Sequence, residues 1–287
     1  MRAYVELVKT ELRLAIRDRG VVFFSYVFPL MFLFGFAELY RSRWEGSILR
    51  VVDLVLLMGI LGNGLFGAGM RTVRDREFQI LRRFKLAPIG SLHLLTASLV
   101  TGWLLYLPAV SLVIGIAAAA YGMPLPSRPF SLLLLLTVGL LAFRALGLIL
   151  AAVANSMQEV NILIQLFYTP LLFLSGALFP LSVLPKWLQA LAELLPAVYL
   201  VRAMQAVLLE GRSIFTQWPA LIALAATTAL GTFVAGRLFR WDRDEKVSRS
   251  VKVWVLVVLT PFLLLGLWRW SAESAPRRDE PPRVERL

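Results

Sequence analysis

Cysteine is absent from this 287-residue chain, and histidine occurs once, at position 93. Without thiols the sequence offers no disulfide and no thiolate metal site, and one imidazole leaves little for zinc ligation or proton transfer. Charge is scarce, at 17% of residues, and lopsided, with 30 lysines and arginines against 18 acidic residues. No Gly-x-x-x-x-Gly-Lys-Ser/Thr run occurs, so ATP finds no phosphate-binding loop in this sequence. Also missing are a His-Glu-x-x-His pair, a serine, histidine and aspartate set, and paired inward carboxylates, the common starting points for hydrolytic or covalent catalysis.

What the chain has is apolar residues, 59% of the total, arranged in several runs long enough to cross a bilayer. This predicts an all-α, polytopic membrane protein. The net charge of +12 would suggest a nucleic-acid partner in a soluble protein, but here the basic residues flank apolar runs and act as topology signals, so no nucleic acid is expected. The first apolar run begins at Val21, has the length of a span and follows a charged segment, so no cleavable signal peptide is expected.

Residues 1–20 read as an amphipathic interfacial helix lying on the inner leaflet, with Arg2, Glu6, Lys9, Arg13 and Arg17 on one face and Tyr4, Val8, Leu12 and Ala15 on another. A transmembrane domain covers 21–240. Its expected spans are 21–40, kinked at Pro29; 51–70, whose Gly59, Gly62, Gly64, Gly67 and Gly69 permit close helix approach; 92–121, with Pro108 inside; 130–154; 160–178; and 218–238. Between the last two, residues 179–211 alternate prolines with short apolar pieces and read as an outer re-entrant hairpin. Residues 241–270 hold a charged linker and a seventh span, 253–268, flanked by tryptophans; 271–287 is a charged, proline-rich, disordered tail. With a cytoplasmic N-terminus, the inner loops carry more than twice as many lysines and arginines as the outer loops, and the tail narrows this excess without reversing it.

Residues 74–88, R-D-R-E-F-Q-I-L-R-R-F-K-L-A-P, form the one long polar interruption of the first half and read as a short amphipathic helix on the cytoplasmic side. They resemble the coupling region of type 2 ABC transporter permeases, whose pattern runs roughly E-R-E-x-G-T-L-E-R-L-x-x-T-P. Asp75, Arg76 and Glu77 match its acidic start, Leu81 and Arg83 its Leu-x-Arg, Phe84 stands at the next leucine and Pro88 at the proline. Gln79 replaces the glycine and Arg82 the second glutamate. The stretch 175–189, followed by Pro196, is similar to the same family's outer re-entrant region through Ser175, Gly176, Phe179, Pro180, Pro185 and Trp187, although Arg202 and Gln205 stand where an aspartate and then an arginine are usual. The resemblance covers about residues 1–240.

That resemblance implies a six-span permease core, dimeric with a second, identical or different permease subunit, in the inner (plasma) membrane. It implies a separate ATP-binding subunit that holds ATP and magnesium, leaving no cofactor and no enzyme site in this chain. Ile80, Leu81 and Phe84 would be the apolar anchor for that subunit, with Asp75, Glu77, Arg82, Arg83 and Lys85 at its rim. The alternative for this segment is a loop lying on lipid headgroups. Ser175 to Trp187 and Glu193 would form an outer gate, with solvent exposure the plain alternative for Glu193. The first, second and fifth spans would line the route of an amphiphilic or hydrophobic cargo such as a drug, lipid or lipid-linked glycan. Arg144, inside the fourth span, costs about 2.5 to 3.5 kcal/mol at a bilayer centre and marks either a pathway or buried pair, or a side chain that snorkels inward. Asn63 is expected to hydrogen-bond between helices, and Glu38 and Asp53 to lie at the interface. Two other classes compete: a secondary carrier, which would show intramembrane carboxylate pairs in repeated halves, and an integral membrane enzyme, which would cluster histidine and acid residues.

Overall fold

A computed structural model describes residues 2–40, 47–81 and 90–241, together with Thr260 and Leu264. The expected seventh span and the tail lie outside the described residues. Among those described there are helices and no strand, and the order is α1 (Arg2–Arg17), α2 (Arg19–Leu39), α3 (Ile48–Glu77), α4 (Ser91–Tyr121), α5 (Pro129–Val153), α6 (Met157–Phe173), α7 (Lys186–Ala192), α8 (Pro196–Leu208) and α9 (Trp218–Arg237). Five of them, α2, α3, α4, α5 and α9, are long and apolar enough to cross a membrane. The arrangement is all-α and polytopic.

Proline and glycine placement sets where these helices bend or stop. In α2 a π-turn at Phe23–Val27, closed by the Phe28 N–H on the Phe23 carbonyl, lies just ahead of Pro29, which has no N–H to donate. Pro108 lies within α4, which continues as one helix of 31 residues, about 46 Å at 1.5 Å per residue and longer than a perpendicular span requires. The fifth expected span is shorter than its apolar run. Ser156 caps α6 by accepting from the Glu159 N–H at 3.1 Å, and the helix stops at Phe173, ahead of a turn with Gly176 at φ 87°. Within residues 179–211 a 3-10 turn at Leu181–Val183 leads to α7 and α8, which meet at 88°. Neither limb, of 7 and 13 residues, reaches ~30 Å alone.

The core is organised around α5. Its Leu135, Leu136, Leu140, Phe143 and Leu148 are almost wholly buried among α3, α8 and α9. The close approach of α3 and α5 depends on glycine: a Cβ on Gly64 would stand 2.7 Å from the Phe143 Cβ. By contrast α2 and α6 expose large apolar side chains, among them Phe24, Met31, Ile162 and Leu166. Helix α1 buries Leu7 and Ala15, with Tyr4 and Val8 partly covered, and leaves Lys9 and Glu6 exposed, so the two faces divide as their spacing predicts. Its apolar face meets α4 and Leu81, however, where lipid was expected.

Candidate functional site

The polar interruption is built as an elbow. Arg74 to Glu77, expected to begin a separate amphipathic helix, instead complete α3. The Phe78 N–H closes on the Arg74 carbonyl at 2.9 Å, the Gln79 N–H on the Arg76 carbonyl at 3.1 Å, and Gln79 takes φ 57°. A left-handed residue at this point stops the helix and turns the chain. Gln79 therefore occupies, with a side chain, the backbone state that the glycine of the family pattern is suited to. A left-handed non-glycine residue costs roughly 1 to 2 kcal/mol, so Gln79→Gly is expected to stabilise the protein by up to ~1 kcal/mol after the loss of glycine's extra chain entropy. Thermal unfolding in detergent would show it as a raised midpoint; a lowered one would contradict the strain.

The turn reverses the order of the apolar residues. Leu81, expected to be an exposed anchor, is 5% exposed and packs with Leu7, Leu94 and Ala97. Phe78, outside the expected anchor, is 71% exposed, and Ile80 is 39% exposed beside it. The rim assignment shifts too: Asp75 is half-buried and lies 3.9 Å from Arg71 within α3, and Glu77 accepts from the Met157 N–H at 2.9 Å, so both face inward. Arg82, Arg83, Phe84, Lys85 and Pro88 lie outside the described residues. The family pattern held a signal for the elbow, its glycine, which 3.6-residue periodicity carried straight through.

Helix α1 is fastened to the same end. Arg71 donates both terminal nitrogens to the Glu11 carbonyl at 3.4 Å, and Thr101 of α4 donates to the Glu11 carboxylate at 3.2 Å. Burial pushes the Glu11 carboxyl above its usual range, with Arg71 and the Thr101 hydrogen bond opposing the rise. Asp18 caps the start of α2 by accepting from the Gly20 and Val21 N–H groups, and it pairs with Arg74 at 3.2 Å. Slight burial pushes the Asp18 carboxyl up, but Arg74 and the two N–H donors outweigh it and hold the group below its ordinary value. Periodicity alone marked neither Glu11 nor Asp18.

Arg144 does not snorkel. It is 4% exposed and donates to the Asn63 carbonyl at 3.1 Å, to the Asn63 side-chain oxygen, and to the Ser98 carbonyl and hydroxyl at 2.7 and 2.9 Å. Asn63, in the π-turn Gly62–Gly67 of α3, also donates to the Gly102 carbonyl at 3.3 Å. Arg144 and Asn63 thus join α3, α4 and α5 in one buried polar node.

At the opposite end, Ser175 is buried, donates to the Leu172 carbonyl at 2.7 Å and accepts from the Ala177 N–H, shaping the turn after α6. Phe179, Pro180, Pro185 and Trp187 are exposed, Trp187 at 68%. Glu193 is half-buried and paired: it binds Arg202 through both carboxylate oxygens, one at 2.7 Å. Asp53, expected at the interface, is 1% exposed, and it accepts from the Gln205 amide at 3.0 Å while that amide also reaches the Gly176 carbonyl at 3.4 Å. The substituted positions Arg202 and Gln205 thus carry the polar joints of α8, a rearrangement of pairing that sequence spacing did not reveal.

The family described as ABC-2 type transporter matches residues 2–209. The chain is 24% identical over 202 residues to an inner membrane transport permease, YhhJ, of Escherichia coli (strain K12), covering 70% of this chain and 52% of the relative. It is 22% identical over 201 residues to the probable multidrug ABC transporter permease YbhR of the same strain, covering 70% and 54%. With the putative transport permease ycf38 of Cyanophora paradoxa it shares 27% identity over 188 residues, covering 60% and 62%. The chain spans little more than half the length of these relatives.

Proposed function

The chain belongs to the ABC-2 type transporter family, and from that premise we propose that it is the membrane-spanning subunit of an ATP-driven exporter whose separate ATP-binding subunit docks on Phe78 and Ile80. The observation that carries this reading is the elbow. Two large apolar side chains, 71% and 39% exposed, stand at the tip of a helix that continues from a membrane span, next to a turn fixed by hydrogen bonds. Exposed aromatic residues on a rigid support fill pockets in a partner, and they cost free energy if left in water. The excess of basic residues on this side of the spans supports a cytoplasmic elbow, where ATP is available.

The cargo is amphiphilic or hydrophobic, because the described spans bury few polar groups, and the two charged ones within α5 and the outer half of α3, Arg144 and Asp53, are bonded to Asn63 and Ser98 and to Gln205. The relative named a probable multidrug ABC transporter permease agrees with that class. The apolar faces of α2 and α6 are suited to a second permease subunit.

The test is co-purification of the ATP-binding subunit with Phe78→Asp and with Ile80→Asp. A charge at the centre of a docking patch is expected to remove most of the bound partner, Phe78→Asp by tenfold or more, for a hot-spot loss of about 2 kcal/mol. If Phe78→Asp retains the subunit at the unmodified level and exports normally, the docking assignment is wrong.

A further inference from the structure

The last turn of α5 is held by two arginines from different parts of the chain. Arg76, at the end of α3 and 2% exposed, donates to the Ala151 carbonyl at 3.1 Å and to the Ala154 carbonyl. Arg240, just past α9 and 7% exposed, donates to the Ala152 carbonyl at 3.1 Å, to the Asn155 side-chain oxygen at 2.9 Å and again to the Ala154 carbonyl. A helix C-terminus leaves carbonyls without intrahelical donors and carries partial negative charge, so guanidinium groups satisfy both its hydrogen bonds and its field. The turn that follows is tied in as well: Glu77 accepts from the Met157 N–H at 2.9 Å, and Glu159 accepts from the Asn155 N–H at 2.8 Å. Four elements, α3, α5, α6 and the exit of α9, therefore converge on residues 151–159.

We infer that Arg76 and Arg240 are positioning residues that clamp the α5–α6 turn between α3 and α9, so that displacement of the Phe78–Ile80 elbow moves α5, α6 and α9 together. Arg76 is two residues from Phe78 along the chain, and no flexible loop intervenes. A plain structural staple would need one donor per carbonyl. Here the Ala154 carbonyl is shared between the two cations, which makes the turn a common point of both elements. Arg240 lies beyond the matched residues 2–209, so the family match does not supply its role. The inference rests on the ATP-driven reading given above.

The absence of cysteine makes a direct test possible, because introduced cysteines are the only thiol labelling sites in this sequence. In nanodiscs, the complex with its ATP-binding subunit would carry spin labels at Gln158→Cys and His93→Cys, both exposed, and distances would be compared in the nucleotide-free and ATP-trapped states. The expected result is a shift that is lost in the Arg76→Gln/Arg240→Gln variant while the subunit stays bound and ATP is still hydrolysed, and that persists in Arg240→Lys, which keeps a cation and a donor. A shift that survives the double glutamine variant, or no shift in an unmodified complex that hydrolyses ATP, overturns the clamp alone. If no ATP-binding subunit assembles with the unmodified chain, the parent reading falls and takes the clamp with it. Should the double variant fail to fold, the decision passes to a second label pair, Gln158→Cys with Phe233→Cys, in the otherwise unmodified complex. A clamp keeps that distance constant as ATP binds, and a change as large as the one to His93 overturns it.

Discussion

Gly147→Val is expected to abolish a monodisperse folded protein, and Gly147→Ala to destabilise it by about 2 to 3 kcal/mol, in the upper part of the range for overpacked sites. A Cβ at Gly147 would stand 2.4 Å from the Gly64 carbonyl oxygen and 3.0 Å from the Leu65 Cα. Both obstacles are backbone, and a rotamer change cannot move backbone. The reciprocal contact has the same character, because a Cβ on Gly64 would lie 2.9 Å from the Phe143 carbonyl carbon. Relief therefore requires α3 and α5 to separate, which would unpack the two most buried spans among the described residues. In lipid the association of helices depends on close van der Waals contact between small residues, since no water is released in bringing apolar surfaces together. Gly115→Ala is the matched control: nothing lies within 4 Å of its Cβ position, and in mid-helix the change is expected to be neutral or to stabilise by up to ~1 kcal/mol. Size-exclusion profiles and thermal unfolding of the three variants would settle the matter, and a Gly147→Val protein as stable as Gly115→Ala would refute the contact.

Those glycines also show how far the sequence could be read. Their density in the second span indicated that helices approach closely there, but not which glycine meets which helix: Gly64 and Gly69 face α5 and Gly59 faces Tyr106, while the Cβ position of Gly62 meets nothing. Long apolar runs and prolines located the spans and the bent pair α7 and α8, because length and hydrogen-bond satisfaction in lipid allow few other solutions. The elbow departs from its sequence pattern for a specific reason. Periodicity assumes one unbroken helix, and the left-handed turn at Gln79 sends Leu81 inward and Phe78 outward, where a continuous helix placed Leu81 on the anchor face. Polar partners were the least legible. Arg144 stood out in its span, but Ser98 and Gly102 lie on another helix and carry no mark of pairing with it; likewise, the exchange of charges at Arg202 and Gln205 acquires sense only through Glu193 and Asp53.

Arg144 also supplies the second large effect, and here Arg144→Met should destabilise the parent but stabilise the Gly102→Ala variant. Its guanidinium lies flat against Gly102, where a Cβ would be 2.0 Å from one terminal nitrogen, 2.1 Å from the central carbon and 2.3 Å from Nε. Unlike the backbone around Gly147, this obstacle is a flexible side chain that could swing aside. Doing so means leaving the Asn63 carbonyl and amide oxygens and the Ser98 carbonyl and hydroxyl, at a site 4% exposed, with no water to replace them. Gly102→Ala should therefore cost about 3 to 5 kcal/mol, the range for stranding a buried charge. Arg144→Met removes the charge and keeps an unbranched chain of similar reach. It leaves acceptors without donors, at about 1 to 3 kcal/mol, but strands no cation. With the guanidinium gone, the alanine at position 102 has far less to displace, so Gly102→Ala/Arg144→Met should be more stable than Gly102→Ala alone. Thermal unfolding of the parent, both single variants and the double variant measures that coupling directly. Equal cost of Gly102→Ala with and without Arg144 would mean that the glycine serves helix packing alone and that the node between α3, α4 and α5 is not held by its cation.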